Sequence, residues 1–374
     1  MITDRNVFIV CAYPDSLVTI RKALIVELIR RGWKVTAIAN GASEAVEKEL
    51  KRVGAHYIPI SIWRTGLNPF RDILSAASLL VLMMRYRPTV VIAFTIKPVI
   101  YGLVAAYLAG VPTRIAVIEG LGYAFSPGKE MRRVYVRLIA TLMLRSAIPL
   151  ASTLVVSNGD DEMFFRLGGY VRDFQDIVVF PSAGIDLEHF PPVPMRPLPV
   201  VFLMISRLLK DKGIYEYVEA ARIVKRQVSE ARFILVGPFD ANPSGVAPEE
   251  VDDWVRRGLI EYKGVVAKVQ PYLAECHVLV LPSYREGFPV APMEAFSTGR
   301  PVILTDVPGC RDVVTPGRDG WLVPPKNSVA LAVAMLEAIS SPLAELGAAA
   351  LATARARFSA VEISSKMADI VTLH

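Results

Sequence analysis

The sequence predicts an α/β protein made of two doubly wound domains, each a parallel sheet covered by helices. Three observations carry that expectation. Short apolar runs, such as residues 34–40, 89–94, 232–236 and 277–281, alternate with longer amphipathic segments, the pattern of buried parallel strands joined by crossover helices. A segment with five prolines, Phe190-Pro191-Pro192-Val193-Pro194-Met195-Arg196-Pro197-Leu198-Pro199, interrupts the alternation near mid-chain and reads as a stiff linker. Finally, 374 residues and 41.0 kDa suffice for two separate cores. The expected division is 1–190, a linker at 191–199, a second domain at 200–357, and a terminal helix at 358–374.

In the first domain, strand 6–13 leads through Pro14-Asp15-Ser16 into an amphipathic helix that runs to about Arg31 and stops at Gly32. Strand 34–40 follows. The first βα loop lacks the G-x-G-x-x-G fingerprint, which argues against a dinucleotide site there. Helix 43–53 and strand 56–60 precede the loop Trp63-Arg64-Thr65-Gly66-Leu67-Asn68-Pro69, whose aromatic, arginine and turn formers suit a ligand or lipid contact. After a helix to about Tyr86, strand 89–94 delivers Thr95 and Lys97 to the carboxyl edge of the sheet, the edge that Ser16 shares. Strand 113–118 runs into Glu119-Gly120-Leu121-Gly122-Tyr123, where glycines allow close approach of backbone to a ligand; turn chemistry alone is the competing reading for both loops. A basic helical stretch covers 128–150. Strand 153–156, a helix start at Ser157-Asn158-Gly159-Asp160-Asp161, strand 177–180 and exit loop 181–186 complete the domain.

The second domain opens with strand 200–205 and then Ser206-Arg207-Leu208-Leu209-Lys210-Asp211-Lys212-Gly213 before a helix to about Gln227. Arg207 and Lys212 put two cations beside the sheet edge, suited to a diphosphate, with solvated surface charge as the alternative. Gly237 and Gly264 end strands 232–236 and 261–263 and leave room for a flat base or ribose. Strand 277–281 enters the richest stretch of the chain, Tyr284-Arg285-Glu286-Gly287-Phe288-Pro289-Val290-Ala291-Pro292-Met293-Glu294. A helix beginning after Pro289 presents backbone N–H groups of Val290 and Ala291 to an anion. Glu286 and Glu294 flank that nest, and carboxylates accept hydrogen bonds from hydroxyls. A molecule with phosphate in its middle and hydroxyls at both ends, a nucleotide sugar, fits the set. Taken singly, either glutamate reads equally well as a helix-start or solvated carboxylate; the number of concordant positions decides. Strands 301–304 and 321–323 and terminal helices follow.

Composition narrows the setting. Hydrophobic content is 53% and mean hydropathy +0.40, yet the longest uncharged stretch, 98–113, is short of the roughly 18–20 apolar residues of a span. Asp4 and Arg5 interrupt any leader-like start, so a cytoplasmic protein is expected. Cys11, Cys276 and Cys310 are scattered and suggest neither a disulfide framework nor a metal set. Residues 1–150 hold 20 Lys/Arg against 9 Asp/Glu, a balance of +11, whereas the remainder holds 22 against 27, or −5. Zinc spacing, RNA-binding aromatics and helix-turn-helix patterning are missing, so nucleic acid is not expected. The basic residues are instead interleaved with large apolar ones around Arg85 and Arg87 and around Arg132, Arg133 and Arg137, as in helices lying in an anionic membrane interface. Core-facing helices with charged outer edges are the plainer alternative.

Glu286 and Glu294, with seven residues between them and Gly287-Phe288-Pro289 after the first, resemble the E-x7-E signature of retaining glycosyltransferases of family 4. That resemblance implies the GT-B fold, two Rossmann-like domains facing an interdomain cleft. Arg64-Thr65-Gly66-Leu67-Asn68-Pro69, Phe94-Thr95-Ile96-Lys97-Pro98 with Tyr101-Gly102, Gly120-Leu121-Gly122, Asp211-Lys212-Gly213, Pro282-Ser283-Tyr284-Arg285-Glu286-Gly287 and Val307-Pro308-Gly309-Cys310-Arg311 further resemble a bacterial subgroup that extends lipid-linked oligosaccharides, O-antigen or capsule units. By this likeness Arg207 and Lys212 bind the donor diphosphate, Glu294 the ribose, and Glu286 with Gly287, Phe288, Pro289 and Val290 the transferred sugar. The resemblance also implies that the terminal helix crosses back onto the first domain. Ser16, Thr95, Lys97, Gly120, Gly122 and Tyr123 fall to the acceptor or cleft. Many members carry a cleft histidine, but His56, His189, His277 and His374 stand elsewhere, so none is assigned a catalytic role. Without a D-x-D at a strand end, metal independence and no cofactor are expected.

The implied reaction moves a hexosamine, N-acetylgalactosamine or N-acetylglucosamine, from a UDP-sugar to a sugar on undecaprenyl diphosphate at the inner face of the bacterial membrane. Retention is compatible with same-face attack or with Glu286 as nucleophile. Another donor or a soluble or glycolipid acceptor is the first alternative. A non-catalytic sugar-nucleotide binder is the second, against which intact Arg207, Lys212, Glu286 and Glu294 count.

Overall fold

The computed structural model describes residues 5–61, 69–125, 131–173, 175–181, 183–242 and 244–373, apart from the side chains of residues 69, 70, 123, 124, 132 and 133. The chain divides into two compact units, Met1–Gly184 with Ala360–His374, and Ile185–Ser359. In chain order the first unit contains β1 (Asn6–Val10), α1 (Asp15–Val18), α2 (Lys22–Arg30), β2 (Lys34–Asn40), α3 (Glu44–Arg52), β3 (His56–Ile60), α4 (Pro69–Tyr86), β4 (Val90–Phe94), α5 (Ile96–Leu108), β5 (Thr113–Ile118), α6 (Gly122–Phe125), α7 (Met131–Ala147), β6 (Thr153–Val156), α8 (Gly159–Leu167) and β7 (Asp176–Val179). Among the described residues its strands form one parallel seven-stranded sheet, ordered β3-β2-β1-β4-β5-β6-β7.

Period-two alternation divides that sheet's side chains between two apolar layers. Phe8, Val10, Val91, Ala93, Ala116 and Ile118 pack on one face against α4, α5 and α7. Val7, Ile9, Val90, Ile92, Ile115 and Val117 pack on the other with α2, and Met367, Ala368 and Val371 from the far end of the chain join them. Each buried Val, Ile, Phe or Met side chain among them contributes about 1.5–3 kcal/mol relative to exposure. Polar side chains start the helices: Ser43 accepts from the Val46 amide and Asn158 from the Asp161 amide, at 3.4 and 2.8 Å.

The single helix expected up to Arg31 is broken after Val18. The Thr19 backbone leaves helical geometry (φ −108, ψ −86) while its hydroxyl donates to the Asp15 carbonyl at 2.8 Å and the Arg21 amide donates to Ser16 O at 2.8 Å. These contacts tighten the turn and carry Arg21 inward, to 3% exposure. Likewise, the helical stretch expected over 128–150 ends as a 3-10 turn, Ile148–Leu150, around Pro149.

The second unit contains β8 (Val201–Ile205), α9 (Ile214–Lys225), β9 (Arg232–Val236), α10 (Pro248–Arg256), β10 (Glu261–Tyr262), α11 (Gln270–Glu275), β11 (Val278–Leu281), α12 (Val290–Ser297), β12 (Val302–Thr305), β13 (Gly320–Val323), α13 (Ser328–Ser340) and α14 (Leu343–Arg357). Its described strands are parallel in the order β10-β9-β8-β11-β12-β13. The sequence reading named no element at α10 or α11.

The proline-rich segment lies with this unit. Prolines donate no backbone hydrogen bond but their carbonyls accept, and buried Arg300 donates to Val193 O at 2.8 Å and Pro194 O at 3.3 Å. His277 Nδ1 accepts from the Val201 amide at 3.1 Å, and its Nε2 lies 2.9 Å from Arg196 O. The last helix, α15 (Ala360–Thr372), returns to the first unit, where Arg31 bridges Glu27 and Asp369.

Candidate active site

In an open parallel sheet, ligands bind beyond the carboxyl ends of the strands where the strand order reverses. In the second unit that point lies between β8 and β11. Ser206 and Arg207 leave β8, and the segment from Pro282 to Glu286 leaves β11. The β8 loop then forms a 3-10 turn, Lys210–Lys212, in which the Lys212 amide donates to Leu209 O at 3.0 Å. The Tyr284 amide donates to Asp211 O at 2.9 Å, so the two loops are fastened together. As a result Lys212 Nζ lies 2.5 Å from Glu286 Oε1, and Ser283 Oγ donates to the same oxygen at 2.7 Å. Lysine and glutamate, 74 residues apart, form one charged centre, half-buried on both sides.

Two glycines make this packing possible. Gly309 has φ +80, and a Cβ there would lie 2.4 Å from Gly287 O and 2.6 Å from Glu286 O. Side-chain residues rarely adopt such a φ, and no L-residue fits that contact. The Glu286 amide donates to Pro308 O at 3.2 Å across it. At Gly237 (φ +145) a Cβ would meet Ser206 O at 1.8 Å. Gly237 therefore admits the β8 loop, a structural reason beside the ligand-facing one read from sequence. Gly264 has open space around its Cβ direction. Arg207 is half-exposed and pairs with Asp240 at 2.7 Å.

Pro289 caps α12 with no side-chain hydrogen bond, leaving the helix start, with Val290 and Ala291, as a backbone donor site. Glu294 lies one turn further in. Its carboxyl is largely enclosed and makes no side-chain hydrogen bond or ion pair among the described residues. Burial pushes its pKa up from 4.5 to about 7. Phe288 packs edge-on against Phe358, with ring centroids 5.6 Å apart, and so anchors the loop between Glu286 and α12.

In the first unit the strand order reverses between β1 and β4. Thr95 stands directly beyond β4, exposed, with φ +70 and ψ 161, a conformation costly for a β-branched residue. Ser16 Oγ donates to Tyr13 O at 2.6 Å, a local turn bond. Lys97 sits in the first turn of α5, half-buried and 3.1 Å from Asp72 of α4, so much of its charge is already balanced. Gly120 (φ +129) follows β5 and Gly122 opens α6; the Tyr123 side chain lies outside the described residues.

Arg21 escaped the sequence reading, and Glu119 was read only as the start of the glycine-rich loop. Arg21 donates to Glu119 from beneath the sheet edge. Its signal was present: Arg21, Leu24, Ile25 and Leu28 share the buried face of one helical pattern, and a charge on such a face demands a partner.

Of the basic residues expected at a membrane, Arg85 and Arg87 are exposed and Arg137 is half-buried, whereas the side chains of Arg132 and Arg133, like the loop 62–68, lie outside the described residues. Beside them run apolar stripes. Ile73, Leu74, Val81 and Met84 on α4, and Met131, Tyr135, Leu138 and Leu142 on α7, are each more than half exposed. Among the described residues no helix is long and apolar enough to cross a membrane by itself.

Comparison with known proteins adds to this geometry. Residues 18–182 match a family model described as a glycosyl transferase 4-like domain, and residues 199–341 match glycosyl transferases group 1. The N,N'-diacetylbacillosaminyl-diphospho-undecaprenol alpha-1,3-N-acetylgalactosaminyltransferase of Campylobacter jejuni is 29% identical, over 75% of this chain and 76% of that one. The UDP-Gal:alpha-D-GlcNAc-diphosphoundecaprenol alpha-1,3-galactosyltransferase of Escherichia coli is 28% identical over 72% and 71%. Among solved structures, sucrose-phosphate synthase from Thermosynechococcus elongatus superposes with a TM-score of 0.80 at 17% identity, covering 99% of this chain and 98% of that one. Alr3699/HepE of Anabaena, solved with UDP, gives a TM-score of 0.76 at 20% identity, covering 99% and 100%.

Proposed function

The chain belongs to the group 1, family 4-like glycosyltransferases of GT-B fold, and from that premise we propose that it moves a hexosamine, with retention, from a UDP-sugar to a sugar on undecaprenyl diphosphate. The observation that carries the site assignment is the Lys212–Glu286 centre at the strand-order reversal of the second unit. Lys212, Arg207 and the α12 amides supply positive charge for a diphosphate. Glu286 and Glu294 supply acceptors for hydroxyls on either side of it. The Campylobacter and Escherichia relatives are named for undecaprenyl-diphosphate-linked acceptors, which supports the acceptor class.

In the reaction the bond from the anomeric carbon to the β-phosphate oxygen breaks, and its electron pair stays on phosphate. Lys212 and Arg207 stabilise that growing charge. The acceptor hydroxyl forms the new bond from the same face, and its proton passes to the departing phosphate. A double displacement would need Glu286 as nucleophile through its second oxygen, since Oε1 receives hydrogen bonds from Lys212 and Ser283. Lys212 can keep its hold on Glu286 while turning another N–H to phosphate, since an ammonium has three donors.

The same reading makes the first unit the membrane-facing one, peripheral to the inner leaflet of the cell membrane. Residues 51–145 hold 13 basic and 3 acidic side chains. The exposed stripes of α4 and α7 flank α5 on the same face of the sheet, so apolar insertion and attraction to anionic lipid coincide.

Calorimetric titration with UDP, GDP and ADP, followed by transfer from UDP-N-acetylgalactosamine and UDP-N-acetylglucosamine to polyprenyl-diphosphate-linked sugars, tests the reading. Selective UDP binding and lipid-linked product support it. Preference for GDP or ADP overturns the donor, equal use of free sugars overturns the acceptor, and binding without transfer points to a non-catalytic sugar-nucleotide binder.

A further inference from the structure

Three separate features of the first unit meet where its strand order reverses. Arg21 is buried to 3% exposure, its guanidinium carbon 4.1 Å from the centroid of the Phe94 ring at the end of β4. It donates to Glu119, the residue directly beyond β5. Yet its Nε and Nη1 are buried without a hydrogen-bond partner among the described residues. The next residue after Phe94 is Thr95, held exposed with φ +70.

A guanidinium sunk into an apolar layer with two nitrogens unbonded is a poor way to stabilise a fold. It is a good way to hold one carboxylate still, because the ring beneath and the enclosing core restrict how the arginine can turn. Glu119, by contrast, keeps 23% side-chain exposure and so reaches the edge where ligands bind in such sheets. A fixed carboxylate at that edge repels phosphate and accepts from hydroxyls, so the matching ligand group is a neutral sugar.

We propose that Glu119 binds the acceptor, receiving a hydrogen bond from a hydroxyl of the acceptor sugar, and that Arg21 is its positioning residue. This rests on the transferase reading above. The strained Thr95 backbone places that residue's side chain at the same edge as a second polar contact.

The test is steady-state kinetics of the full chain with a UDP-sugar donor and a polyprenyl-diphosphate-linked sugar acceptor, comparing wild type with Glu119→Gln, Glu119→Asp, Arg21→Met and Arg21→Lys. Glu119→Gln is expected to raise the acceptor KM tenfold or more, with donor KM and UDP affinity within twofold of wild type. Glu119→Asp draws the carboxylate back by one methylene and should give the same signature, which covers the case in which the glutamine variant folds poorly. Arg21→Met should follow Glu119→Gln, and Arg21→Lys should recover part of the acceptor KM. A solely structural pair predicts instead lower thermal stability with an unchanged acceptor KM in the folded variants; that result overturns the proposal. Wild-type failure to transfer to any lipid-linked sugar would overturn the transferase reading itself. Wild-type turnover with an unaltered acceptor KM in Glu119→Gln removes only the role given to Glu119.

Discussion

At the scale of single residues, two side chains at the second unit's sheet edge make opposite predictions. Lys212 is bonded to Glu286, so its removal subtracts a phosphate donor and also strips Glu286 of its partner. Loss of one such preorganised donor typically costs about 10²–10³ in kcat, and Lys212→Ala is expected to fall at least that far with UDP-sugar bound; near-wild-type turnover would refute the phosphate role. Glu294 is instead a largely enclosed carboxyl without a partner among the described residues. Its folded pKa of about 7 lies above the ordinary 4.5, so the folded chain holds this proton more tightly than the unfolded one. The stability it contributes is full below about pH 4.5 and lost as pH rises to about 7, by on the order of 3 kcal/mol in total. Glu294→Gln carries no such loss, so its stability relative to wild type should improve between pH 5 and pH 8, measured by urea unfolding; parallel pH dependences would exclude burial as the cause. The ionised form is the better acceptor for ribose hydroxyls. UDP affinity of wild type relative to Glu294→Gln should therefore grow from pH 6 to pH 8, a ratio in which the titration of UDP itself cancels.

At the scale of elements, the exposed stripe on α7 gives the sharpest test of the membrane reading. Met131, Tyr135, Leu138 and Leu142 recur at helical spacing and remain exposed, unlike Leu144 and Ala147 of the same helix, which enter the core. Replacing Leu138 and Leu142 together by glutamate is expected to weaken binding to anionic vesicles ~10-fold or more and to leave UDP affinity unchanged; wild-type binding should itself fall as salt rises. Undiminished vesicle binding would remove α7 from the interface. Why such stripes were legible in the sequence, and other features were not, follows from distance along the chain. Strands β2, β3, β5, β6 and β9 were read to their observed ends, because apolar runs bounded by turn residues are local signals. The break between α1 and α2 was not, since the apolar periodicity runs on through Thr19 while side-chain and backbone bonds stop the helix. Glu286, Glu294, Arg207 and Lys212 were picked out from motif spacing. Their pairings were not, because Lys212 with Glu286 and Arg21 with Glu119 join residues 74 and 98 apart, and a local pattern carries no such partner. The partner of Lys97 was likewise not legible, Asp72 lying 25 residues away on α4.

At the scale of the whole molecule, the chain order and the unit order differ. Residues 185–359 form one unit with its own core, and the last helix, α15, belongs to the other. Met367 is 1% exposed there, in a layer shared with Leu24, Ile25 and Leu28 of the first unit, and Arg31 fastens the helix through Asp369 and Ser365. Every residue proposed to bind the donor lies between 207 and 294, inside the second unit. Truncating a buried methionine typically costs about 2–5 kcal/mol, so Met367→Ala should lower the stability of the first unit by that order. It should also leave UDP affinity within about twofold, since α15 and the proposed donor residues belong to different units. Hydrogen exchange followed by peptide is the measurement that separates the two units. Faster exchange confined to peptides from 5–173 and 360–373 is the expected outcome. Equal acceleration in peptides around Lys212, Glu286 and Glu294, with a matching loss of UDP binding, would mean that the terminal helix supports the donor site as well as the first unit's core.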